Sequence, residues 1–243
     1  MAFWPMLLMM LSVVIAAATQ RITGLGFALV SAPLLVLVAG PHSGVLLANM
    51  LSLVTNILVL SQTWRQVDLR RVALLAIPAL CAVPVGQIVA RQTPPGALMI
   101  GIGGLVFAAL TAVRVLRRSN LFSRAGGAIG AGALSGFMNV TAGVGGPAMT
   151  LYAIGSRWPH QSFVGSMQLY FAVVNTGSII VKGLPDVGAA ALIGVFGALA
   201  VGLALGHFAA RRVSPERARS AVLVLALAGA AGTVLKGALL FPQ

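Results

Sequence analysis

Two short stretches combine glycines with polar side chains inside otherwise apolar sequence. The first is TGLG, from Thr23 to Gly26, and the second is NVTAGVGGP, from Asn139 to Pro147. A helix that begins inside a membrane exposes N–H groups without acceptors and the positive end of its dipole. Glycine lets a ligand approach those groups closely. Each stretch therefore predicts a helix start that binds an anion.

Side chains near the two stretches can strengthen such a site. Thr23, Asn139 and Thr141 carry donors, whereas Arg21 has two interpretations that the sequence leaves open: it binds or attracts an anion, or it reaches the lipid headgroups. Glycines that only allow close helix packing are the structural alternative, but packing does not require the neighbouring Asn, Thr and Pro. The candidate substrate-binding residues are Arg21, Thr23, Gly24, Leu25, Gly26, Asn139, Thr141, Gly143, Val144, Gly145 and Gly146.

Amide side chains also occur within long apolar segments. Asn49, Asn56, Gln168 and Asn175 would be unfavourable facing lipid, so they either bond between helices or line a pathway. Tyr170 lies two residues after Gln168 and joins them as a candidate for the pathway lining, with ordinary packing as its alternative.

The sequence contains little of the chemistry that enzymes and metal sites need. Its three carboxylates, Asp68, Asp186 and Glu216, lie near the ends of apolar segments, and the single Cys81 excludes an intrachain disulfide. No HExxH motif or cluster of cysteines is present. We therefore expect no enzyme activity, metal or cofactor. A proton or sodium relay built on buried carboxylates is likewise not expected.

The composition indicates what positions these residues. Hydrophobic residues make up 59% of the 243 residues and charged residues only 8%, against roughly 25% charged in soluble domains. The apolar segments exceed the roughly 10 residues of a barrel strand, which predicts an all-α polytopic membrane protein. The net charge of +13 comes from residues between apolar blocks, which favours membrane orientation over nucleic-acid binding. The N-terminal block lacks a basic start and is predicted to be a membrane segment and not a cleaved signal.

The apolar blocks repeat at an offset of about 119 residues. Gly24 aligns with Gly143 and Asn56 with Asn175, and matches at offsets of 118 and 120 follow the same order. Duplicated halves are typical of transporters. The predicted units are an N-terminal repeat, 1–119, with a hairpin over 3–39 and helices over 43–63, 68–90 and 95–116, and a C-terminal repeat, 120–243, with a hairpin over 126–156 and helices over 161–181, 187–209 and 216–236.

Charge placement predicts how the broken segments cross the membrane. If each broken pair crossed once, eight basic residues would face six, which is almost no bias. If each pair is a hairpin that returns to its starting side, twelve face three, as the positive-inside rule requires. The two repeats, each a broken-helix hairpin plus three transmembrane helices, are then inverted, and both termini lie outside the cytoplasm. The second hairpin is expected to reach mid-membrane, and the first to cross nearly the whole bilayer.

The glycine motifs carry a family resemblance. TGLGFALVSAPLL, GVGGPAMTLYAIG and the two four-block halves resemble the TauE/SafE sulfite exporter family over essentially the whole chain. This resemblance implies a transporter of the bacterial inner membrane with sulfite, sulfonates or related sulfur anions as substrates. Phe27 and Pro147 depart from the family's richer glycine run, so the exact substrate stays open.

Together these features predict a secondary transporter of sulfite or an organosulfonate that works by alternating access between inverted repeats. Its expected partners are a small anion and the lipid bilayer, with no nucleic acid, and a homo-oligomer is left open. One alternative is a proton- or cation-coupled importer of an organic anion. Another is a non-transporting scaffold or accessory subunit, which would be tightly packed at both glycine motifs.

Overall fold

The computed structural model describes residues 3–23, 26–115, 126–209 and 212–240. Within these ranges the chain is helical and contains no strand. The helices are α1 (Phe3–Thr23), α2 (Phe27–Ala39), α3 (Pro41–Thr63), α4 (Leu69–Gln92), α5 (Pro95–Val115), α6 (Gly127–Ala142), α7 (Gly146–Gly155), α8 (His160–Lys182), α9 (Ala189–Ala209) and α10 (Pro215–Leu239).

Local sequence accounts for several helix ends. Asp68 caps α4 by accepting a hydrogen bond from the Arg71 N–H at 3.0 Å. Gly143 ends α6 in the left-handed region with φ of 71°, where a side chain would be strained. Pro41 and Pro147 lie in the first turns of α3 and α7, where a missing N–H leaves no helical bond unmade.

Among the described residues, six helices are long and apolar enough to span a membrane, and they run in alternating directions. Gly165 near the start of α8 packs on Thr63 at the end of α3, and Gly96 near the start of α5 packs on Gly237 near the end of α10. We call the end where α3 and α5 finish the arginine-rich end. Its described basic residues are Arg65, Arg70, Arg71, Arg114, Arg157, Arg212 and Arg217, whereas the opposite, distal end has Arg91, Lys182 and Lys236.

Each half contributes a hairpin that packs against the other half. α1 lies along α9, with Gly202 against Val14 and Ala17, and α6 lies along α4, with Gly132 against Leu75 and Gly136 against Ala79. These glycines have no room for a Cβ atom, so they set the close approach of the helices. Reciprocal packing of this kind is what two related halves would produce, and the inversion of the halves stays a prediction.

The sequence predicted this architecture well. The all-α membrane class is confirmed, and each predicted apolar block matches a helix to within a few residues. α6 follows α4 along most of its length, so that Val140 packs on Gly86 and Ala142 joins a cluster with Ala90 and Leu98 at the distal end. The depth that each hairpin reaches in a bilayer stays a prediction.

Candidate anion-binding site

A cavity of about 570 Å³ lies between the two helices that begin after the glycine motifs. Such a volume is typical of small-molecule sites. The starts of α2 and α7 line it, together with residues of α1, α3, α5, α6, α8 and α10. Its side toward the arginine-rich end is formed by the last turns of α5 and the first half of α10, which carry Arg114 and Leu223.

The helix starts in this cavity have no side-chain caps. Gly26 precedes α2 with φ of 122°, and Gly145 precedes α7, and neither can supply an acceptor for the first N–H groups. Ser135 Oγ donates to the Gly145 carbonyl at 2.9 Å and so fixes the backbone there. A Cβ atom at Gly145 would collide with Ser135, whereas one at Gly146 would meet open space. The α7 start therefore presents exposed backbone in a fixed position.

One cluster of amides separates the cavity from the distal end, and we call it the distal amide set: Asn49, Asn139 and Asn175. Asn139 Nδ2 donates to Asn175 Oδ1 at 2.9 Å and to Ser178 Oγ at 3.3 Å, while Asn49 Nδ2 donates to the Asn139 carbonyl at 3.5 Å. These bonds join α3, α6 and α8 through side chains that are all buried. Behind Asn139, the end of α6 fills the space toward the distal end.

A matched cluster lines the cavity on the side of the arginine-rich end, and we call it the cavity amide set: Gln20, Asn56 and Gln168. Each lies 119 residues before or after a member of the distal set. Within the described part of the chain, Gln20 Oε1 and Gln168 Oε1 are buried without a hydrogen-bond partner. There, Gln168 Nε2 donates only to the Val164 carbonyl of its own helix, at 3.3 Å. All three side chains line the cavity. The two sets therefore have similar chemistry but different bonding.

The structure brings many of the predicted site residues together. The predicted residues that line the cavity are Gly26, Asn139, Val144, Gly145, Gly146, Asn56, Gln168 and Asn175. Gly24 and Leu25 lie outside the described residues, as do the side chains of Arg21 and Thr23.

Four predicted residues do not line the cavity. Thr141 Oγ1 donates to the Phe137 carbonyl within α6 at 2.7 Å, so its donor is already used. Gly143 packs against Ala32 and serves as the helix cap. Tyr170 is fully buried and packs against Phe171. Asn49 does not line the cavity itself, but its side chain donates a hydrogen bond to the carbonyl of Asn139, which does.

Three polar or charged residues stand out among the lining residues that were not predicted from the sequence. Gln20 and Ser52 are buried polar side chains with unpartnered oxygens, and Arg114 is an exposed cation near the end of α5. The offset of 119 residues offered a signal for Gln20, because it relates Gln20 to Asn139. Nothing comparable marks Arg114, which resembles the other arginines in the loops.

The charges of the lining favour an anion. Among the described residues that line the cavity, Arg114 is the one that is charged, and none is a carboxylate. The uncapped N–H groups of α2 and α7 add the positive ends of two helix dipoles. Donors without a fixed negative charge suit an oxyanion and would not hold a cation.

Comparison with known proteins agrees with this chemistry. The model of the family described as sulfite exporter TauE/SafE matches residues 9–233. No curated protein and no solved structure matches the chain. Since the match covers nearly the whole chain, this protein belongs to the TauE/SafE sulfite exporter family and is a multi-pass membrane transporter of sulfite or related anions.

Proposed function

We propose that this protein carries a sulfur oxyanion, sulfite or a small organosulfonate, by alternating access, and holds it between the starts of α2 and α7. The observation that carries the proposal is the shared cavity, which contains both uncapped helix starts and the cavity amide set. Gly146 and Gly26 expose backbone donors, and Asn56, Asn139 and Asn175 add side-chain amides at the same cavity.

The apolar part of the lining bears on the choice between sulfite and a sulfonate. Phe27, Phe163, Met167 and Leu227 surround the polar groups, and the cavity is larger than a bare oxyanion needs. An organosulfonate would place its charged group at the helix starts and its organic part against these side chains. Bare sulfite would occupy the same donors with water in the remaining space.

In the proposed transport cycle, the two amide sets would exchange their bonded and unbonded states. In the described conformation the distal set is bonded and the cavity set faces open space, which supports a state open toward the arginine-rich end. That end is cytoplasmic if the positive-inside rule holds for this chain. The opposite state would join Gln20, Asn56 and Gln168 and separate Asn139 from Asn175.

The described cavity lining contains no carboxylate, which bears on the driving force of anion transport. An inside-negative potential favours anion exit by about 2.3 kcal/mol per charge per 100 mV, so an exporter needs no buried acid.

A scaffold, one alternative function, would need no cavity at the helix starts. A proton-coupled importer differs from a potential-driven exporter in its response to a pH gradient.

Flux of labelled sulfite and of a short alkyl sulfonate into reconstituted vesicles tests the proposal. We expect saturable flux of at least one anion that follows an imposed membrane potential. Flux that matches protein-free vesicles for both anions would overturn the transport proposal. Flux that follows a pH gradient at zero potential would instead support the proton-coupled alternative.

A further inference from the structure

A second pocket lies at the distal end, apart from the main cavity. It has a volume of about 330 Å³ and is formed where the start of α3 meets the ends of α4 and α8. Its polar lining consists of His42, Ser43, Gln87, Arg91, Lys182 and Asp186. The arrangement thus places two basic side chains and a histidine around a concave space.

The two basic side chains of this pocket form no ion pair within the described residues. Arg91 makes a single long hydrogen bond, to the Val181 carbonyl at 3.5 Å, and Lys182 has no hydrogen bond or ion pair within the described part of the chain. Asp186 lines the pocket but pairs with neither of them within that part. Two like charges held close together without a paired carboxylate favour a bound anion.

A buried amide gives a second, independent indication of a ligand. Gln87 lines the pocket at 5% exposure, and none of the described residues forms a hydrogen bond with its Oε1. A buried amide without partners is unfavourable unless a bound molecule or water satisfies it. Because amide oxygen and nitrogen exchange places by a simple flip, Gln87 can donate to an oxyanion or accept from a protonated one.

The pocket lies next along the path from the main cavity. Lys182 follows Asn175 by seven residues on α8, which is about 10 Å along the helix axis. Gly86, the neighbour of Gln87, packs on Val140 of α6, one residue beyond Asn139. The end of α6 and the distal amide set therefore lie between the two spaces.

We propose that the distal pocket is a second oxyanion site, in which Arg91, Lys182 and Gln87 hold a sulfite or sulfonate group on the far side of the amide barrier. The identity of the ligand rests on the proposed function, but the existence of the oxyanion site does not. A phospholipid headgroup offers the same oxyanion chemistry, so the test separates the two sources.

Equilibrium binding of ³⁵S-labelled sulfite to delipidated protein in maltoside micelles tests the site. We expect two bound anions per chain in the wild type and one in the double variant Arg91→Met with Lys182→Met. The affinity of the distal site should fall about tenfold in Lys182→Met alone and recover in Lys182→Arg. Lys236→Met, which removes another distal cation, is the matched control and should keep both sites.

The outcomes separate this site from the main cavity. Gly146→Leu should lose the cavity site and keep the distal one, so unchanged stoichiometry in Gly146→Leu alone contradicts only the proposed function. If the double variant keeps all bound sulfite but loses a phosphatidylglycerol seen by native mass spectrometry, the oxyanion is a lipid phosphate. The inference is overturned if a folded double variant, checked by its melting temperature, loses neither ligand.

Discussion

The two amide sets of this transporter contain the same kinds of side chain, but within the described residues one set is joined by hydrogen bonds and the other is not. Asn49, Asn139 and Asn175 are joined by hydrogen bonds toward the distal end. Gln20, Asn56 and Gln168 line the cavity instead, and the buried Oε1 atoms of the two glutamines have no hydrogen-bond partner within the described residues. Unpaired buried amides cost free energy, so a conformation that pairs the second set has a ready source of stabilisation. Under the proposed mechanism, this difference means that the barrier to the anion is a set of side-chain hydrogen bonds that has formed at the distal end and not at the other end.

Helix packing also differs between pairs of helices that occupy corresponding positions in the two halves. The backbones of α4 and α8, and of α2 and α3, approach closely along much of their length. Within the described residues, the backbones of the corresponding pairs, α9 with α3 and α7 with α8, approach less closely. Of these four helices, α3, α7 and α8 line the main cavity. Both comparisons therefore point to the same closed distal end and the same open arginine-rich end.

The largest expected effect comes from filling the open helix start. Gly146→Leu should reduce sulfite or sulfonate flux by about 100-fold or more, because its side chain enters the cavity without a clash. Gly101→Leu on α5 is the matched control, since Gly101 is also uncrowded but exposed, and it should leave flux unchanged. Initial rates in reconstituted vesicles provide the measurement. Near-normal flux in Gly146→Leu would remove the α7 start from the site.

The next largest effect on flux is expected from replacing one amide side chain in each set. Asn175→Leu should cost about 1–3 kcal/mol of stability, because Asn139 loses a buried partner, and should lower flux about tenfold. Asn56→Leu should lower flux similarly but change stability by less than about 0.5 kcal/mol, because Asn56 makes no hydrogen bond within the described residues. Melting curves and flux assays separate the two variants. Equal destabilisation in both would show that the sets do not differ in bonding.

The sequence predicted the framework better than the exact lining of the site. Apolar block lengths, glycine motifs and the offset of 119 residues predicted the helices and both helix starts, because these depend on residue type and spacing. Thr141 and Tyr170 show where that reasoning ends. Thr141 bonds within its own turn and Tyr170 turns into the core, and neither orientation can be determined without knowing which helices pack together. The distal pocket joins three helix ends that are far apart in sequence.

A smaller effect is expected from removing an unpaired amide. Gln168→Met deletes a buried oxygen without a partner and should stabilise the described conformation by about 1 kcal/mol. Holding that state should slow flux about three- to fivefold, because the opposite state becomes rarer. Gln92→Met at the exposed end of α4 is the control. A destabilised Gln168→Met would mean that the oxygen is already satisfied in this state.

The smallest effect concerns the single cation that lines the cavity. Arg114→Gln should lower the initial rate about two- to threefold at low ionic strength, and the difference should vanish near 0.5 M salt as screening removes long-range attraction. Arg65→Gln changes an exposed arginine at the same end that does not line the cavity, so it should have little effect. A salt-independent loss in Arg114→Gln would indicate direct binding instead of attraction.

Side-specific cysteine labelling tests the exchange between the two ends most directly. In a Cys81→Ala background, Ser52→Cys reports on the main cavity and Ser178→Cys on the space behind the distal amide set. We predict that an impermeant maleimide labels Ser52→Cys from the arginine-rich side. Anion turnover should then lower that labelling and expose Ser178→Cys from the distal side. Labelling of both positions from the same side, unaffected by the anion, would contradict alternating access through this cavity.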